Sequence, residues 1–80
     1  MVVESVGPMI LQIIPELRPA DFDVISYRDG TVTIAVANPA ISQELRLRAE
    51  PILEALADAF PEHPMHRLKF TPLIEREEEG

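Results

Sequence analysis

Apolar and polar positions alternate through "FDVISYRDGTVTIAVA", residues 22–37, most cleanly in its second half, where Val32, Ile34 and Val36 are separated by Thr33 and Ala35. A period of two predicts a strand with one covered face. Asp29-Gly30 divides the stretch, and this dipeptide suits a two-residue hairpin turn that needs positive φ at both positions. Such a turn pairs Arg28 with Thr31, Tyr27 with Val32 and Ile25 with Ile34. Ile25, Tyr27, Val32, Ile34 and Val36 then share the core face, and Val24, Ser26, Arg28, Thr31 and Thr33 the other.

Elsewhere the rhythm is helical. Ile10, Ile13, Ile14 and Leu17 predict a short first helix at about 6–14, opened by Gly7-Pro8 and interrupted at Pro15. In "NPAISQELRLRAEPILEALADAF", Asn38 suits an N-cap and Pro39 the first helical position. Ile41, Leu45, Ala49, Ile52, Leu56 and Ala59 fall in one arc at 100° per residue. Glu44 precedes Arg48 by four, the favourable order for a surface ion pair. Pro51 cannot donate to the carbonyl of Leu47, so the helix either kinks or divides into about 39–49 and 51–60. In "HPMHRLKFTPL", Leu68 and Phe70 alternate with Arg67, Lys69 and Thr71, a third strand of about 65–71 that Pro72 ends.

The order α-β-β-α-(α)-β implies an α+β domain, a three-stranded sheet covered on one face by helices. Its core places Ile25, Tyr27, Val32, Ile34, Leu68 and Phe70 against Leu45, Ile52 and Leu56. Residues 1–72 form this domain. Residues 73–80 form an acidic tail, where Glu75, Glu77, Glu78 and Glu79 are expected to stay solvated.

Eighty residues lie near the lower limit for a self-sufficient core, and the chain has no cysteine to staple it. Oligomerisation or docking on a partner is a usual remedy. Net charge is −7, whereas free-standing nucleic-acid binders are usually basic. No apolar run approaches a membrane span, and the first charged residue is Glu4 rather than a basic leader residue, so a cytoplasmic protein without membrane contact is expected.

Candidate chemistry is sparse. Arg28, Arg67 and Lys69 fall on the uncovered sheet face and are candidates for weak phosphate binding, though single-strand binders usually interleave aromatic residues. Arg46 and Arg48 flank Leu47, which on one continuous helix points away from the apolar arc; these are the partner-binding candidates. His63 and His66 are too few ligands for a zinc site, so no metal is expected. Ser5, Ser26 and Ser42 have no evident base and acid, and no glycine-rich phosphate loop follows a strand. Neither catalysis nor a cofactor is expected.

With these elements placed, "DGTVTIAVANPAISQELRLRAEPILEALADAF…HRLKF" resembles the family known as domain of unknown function 721, whose best-known members are the DciA-type loaders of the bacterial replicative helicase. The resemblance rests on the Asp29-Gly30 turn, the Val32, Ile34 and Val36 strand, "QELRLRAEPILEAL" and "HRLKF", and it covers about residues 28–70. It implies a KH-like fold and a role at the replicative helicase or on DNA. The chain departs from the family in lacking a tryptophan-containing N-terminal segment and a basic extension. In a nucleic-acid-binding KH module a Gly-x-x-Gly loop between two helices clamps the backbone. The corresponding joint, "RLRAEP", has no glycine and carries Glu50. The expectation is a non-enzymatic interaction domain with a protein partner, the replicative helicase, and weak contact with DNA. The alternatives are a protein-only adaptor or homodimer and, behind it, a weak RNA binder.

Overall fold

A computed structural model describes residues 2–73. The acidic run from Glu75 to Glu79 lies outside the described residues. Helix α1 spans Val2–Ile13, so it starts earlier than the Gly7-Pro8 signal predicts and carries both residues inside. Proline usually breaks a helix interior because its ring crowds the preceding residue. Gly7 has no Cβ to meet that ring, and no other part of the fold crowds the position. Burial of Val6, Ile10 and Ile14 then holds the helix on the core through the weak point. It ends before Pro15, with the Ile14 N–H donating to the Ile10 carbonyl at 2.8 Å.

Strands β1 (Phe22–Arg28) and β2 (Thr31–Val36) form the predicted hairpin, with Asp29 at φ 52° and Gly30 at φ 80°. Arg28↔Thr31 and Tyr27↔Val32 pair as expected, but Ser26 then faces Thr33 and Val24 faces Ile34. Ile25 is the extra residue of a bulge. It does not pair with Ile34 and does not join the core, where it was expected; it stands 51% exposed. Val24, expected on the outer face, packs against the core instead. One inserted residue reverses every side chain beyond it.

Strand β3 (Arg67–Pro72) lies parallel to β2 in the order β1-β2-β3. It starts two residues later than expected and includes Pro72. The N–H groups of Arg67 and Leu73 donate to the carbonyls of Gly30 and Val36, at 3.2 and 2.8 Å. Period two therefore turns the backbone groups of Leu68, Phe70 and Pro72 toward the edge that is unpaired among the described residues, where a missing N–H breaks no ladder bond.

The long helical pattern divides into α2 (Pro39–Leu47) and α3 (Ala49–Ala59), each ending a residue or two short of expectation. The break falls at Arg48 (φ −110°, ψ 20°) rather than at Pro51, which is the third residue of α3. There its nitrogen needs no partner, because the first turn of any helix leaves its N–H groups outside the ladder. Leu45, Ile52 and Leu56 reach the core as predicted, Ile41 packs against it and Ala59 is exposed. All three helices cover one sheet face. The core also takes Leu17, which the helical spacing named, and Phe22 and Met65, which no spacing singles out.

Candidate partner and nucleic-acid interface

The α2–α3 joint, the hairpin turn and β3 converge on one open groove of about 960 Å³. Cross-strand register builds its floor. Arg28, Thr31 and Arg67 form one row across the sheet, and Thr33 pairs with Lys69 in the next. At the usual strand spacing Arg28 and Arg67 stand about 10 Å apart on the outer face. From the helical side Arg46 reaches over β3, its guanidinium carbon 5.4 Å from the Phe70 ring centroid, a cation–π contact. Arg28, Arg46, Arg67 and Lys69 thus line one groove, and Asp29 is the carboxylate in its wall.

The turn holds the groove's near end in shape. The Gly30 carbonyl accepts from the N–H groups of both His66 (2.7 Å) and Arg67 (3.2 Å). His66 lies so close over Gly30 that a Cβ there would stand 2.6 Å from the imidazole Cδ2. The Tyr27 hydroxyl donates to the Pro64 carbonyl at 2.8 Å, and its ring meets His63 edge-on at 6.0 Å. The "HPMH" loop therefore ties β3 to the hairpin. Among the described residues no three acidic, histidine or cysteine side chains gather as a metal site would require.

The other two predicted site residues lie apart from the groove. Leu47 is 73% exposed at the end of α2, beside a shallow concavity lined by Pro39, Ser42, Gln43 and Arg46. Arg48 is engaged at 3.0 Å by Glu44, the ion pair that the spacing predicts. Phe70 is the groove residue that sequence reasoning missed. Alternation assigned it to the core, and it packs there while also carrying Arg46. The cations are not, as expected, without an aromatic among them.

No helix among the described residues is long and apolar enough to cross a membrane. No curated protein matches the chain. The family described as Dna[CI] antecedent, DciA, matches residues 9–70, a span that takes in the end of α1, the whole hairpin, both helices of the joint and β3 as far as Phe70. It starts well before the hairpin, so the end of the first helix falls within the family pattern, which the letters alone revealed only from about residue 28. With more than half of its length matched, the chain belongs to the DciA family.

Proposed function

We propose that this chain is a non-enzymatic adaptor with a KH-like domain that contacts a bacterial replicative helicase, as DciA-type proteins do. The match over residues 9–70 carries the reading, and the order α-β-β-α-α-β supports the KH-like part of it. The contact patch is the end of α2. Leu47 supplies an exposed apolar centre and Arg46 and Arg48 a polar rim, the general layout of a protein interface. Calorimetric titration of the replicative helicase from the same organism with the full chain tests this. Binding that Leu47→Asp weakens severely, with the unfolding midpoint unchanged, is the expected outcome. No heat at micromolar concentrations sinks the adaptor reading. A concentration-dependent dimer that Leu47→Asp dissolves would assign the leucine to the homodimer alternative.

A second reading is weak contact with DNA phosphates, which the four cations of the groove favour. The α2–α3 joint has no glycine to let a phosphate approach the main chain, so neither tight DNA binding nor RNA clamping follows.

A further inference from the structure

We infer that the edge of β3, unpaired among the described residues, is a docking site for an extended acidic segment of a partner protein, added to the sheet as a fourth strand. The two sheet edges differ. On β1 the bulge at Ile25 breaks the register, a common device against strand addition. On β3 the register runs unbroken from Arg67 to Pro72. Arg67 and Leu73 donate inward to β2, so the N–H and C=O groups of Leu68 and Phe70, and the C=O of Pro72, face outward. Arg67 and Lys69 from the outer face line the groove together with Leu68 and Phe70 from the helical face, so the groove follows this edge from Arg67 to Phe70.

The occupant follows from the chemistry of that edge. Its outward carbonyls require donors, which a second polypeptide strand supplies and a phosphate backbone lacks. A second copy of β3 would set Arg67 and Lys69 against cations of the same kind, and like charges on facing strands repel. An acidic strand converts that repulsion into attraction. Strand period two then specifies the segment: carboxylates alternate toward Arg67 and Lys69, and apolar residues between them lie beside Leu68, Phe70 and Leu53. The inference takes from the adaptor reading only that the partner is a protein.

The test uses the full chain and a short, end-blocked peptide alternating glutamate and valine, followed by amide NMR. The peptide is expected to slow hydrogen exchange at the Leu68 and Phe70 amides roughly tenfold. N-methylating one alternate set of its amides should abolish the effect, while methylating the other set should not. Lys69→Glu should weaken binding roughly fivefold, the upper end for an exposed ion pair. Unchanged exchange at both amides overturns the inference, as does equal binding by a lysine–valine peptide. It is equally overturned if both amides are already protected in the free chain and are released when Glu75, Glu77, Glu78 and Glu79 are changed to glutamine, since the chain's own segment would then hold the edge. A short oligothymidylate that perturbs the same amides at lower concentration than the peptide would assign the edge to nucleic acid. None of these outcomes involves the helicase, so failure of the α2 patch and failure of the edge are read separately.

Discussion

Gly30 carries two demands that no other side chain meets together: a positive φ of 80° and a histidine ring where a Cβ would stand. Gly30→Ala is expected to cost about 1–3 kcal/mol from backbone strain alone, and displacement of His66 adds to it; urea denaturation measures the sum. Ile25 and Ile34 give a second comparison, because identical side chains occupy opposite environments. Ile34→Ala should cost about 2–5 kcal/mol, whereas Ile25→Ala, on the bulge, should stay within about 0.5 kcal/mol. Equal losses would restore the unbulged register. The hairpin turn was legible from Asp29-Gly30, because turn chemistry is local. The bulge was not, because it answers to the shape of a core built from distant helices.

Among the elements, α2 and α3 show how one proline acts at a distance along the chain. Pro51 forbids a continuous ladder at the Leu47 carbonyl, to which it cannot donate and against which its ring clashes. The backbone turns at Arg48, just beyond that carbonyl, and Pro51 then rests in a first turn that asks nothing of it. The opposite end of α2 is held by Asn38, whose Oδ1 accepts from the Ile41 N–H at 3.1 Å. Asn38→Ala should lower stability by about 0.5–2 kcal/mol, read from the denaturation midpoint. Removing the Glu44–Arg48 pair should change it by at most about 0.5 kcal/mol, as for other exposed i,i+4 pairs. The cap and the pair were readable as letters at fixed spacing. The conflict between Pro51 and the Leu47 carbonyl was readable too, but whether the helix kinks or divides, and that it turns at Arg48, was settled by how both pieces dock on the core.

For the molecule as a whole, the telling property is segregation of charge. A chain of net charge −7 gathers four of its seven basic residues along one groove. Long-range repulsion and local attraction then oppose each other, and screening beyond about 8 Å at physiological salt leaves only the local contacts. Binding of labelled single-stranded DNA is expected to be detectable at low salt and lost near physiological salt. Each of Arg28, Arg46, Arg67 and Lys69 that meets a phosphate should contribute about 0.7 to the log–log salt slope. Fluorescence anisotropy of the full chain and its Lys69→Ala variant checks this. Sub-micromolar binding at physiological salt would overturn the preference for a protein partner.

What the sequence determined by itself is what short-range chemistry dictates: the order of elements, the turn, the N-cap, the i,i+4 pair and the buried arc of Leu45, Ile52 and Leu56. Each depends on residues a few positions apart, so spacing alone carries it. Tertiary structure decided the rest. Parallel pairing of β3 with β2 brought Arg67 into one row with Arg28 and opened a single unbroken edge. Docking of the helices on that sheet laid Arg46 over Phe70 and turned scattered cations into a groove. Those neighbours are distant in sequence, and what places them together is the burial of a shared core, which no local spacing encodes.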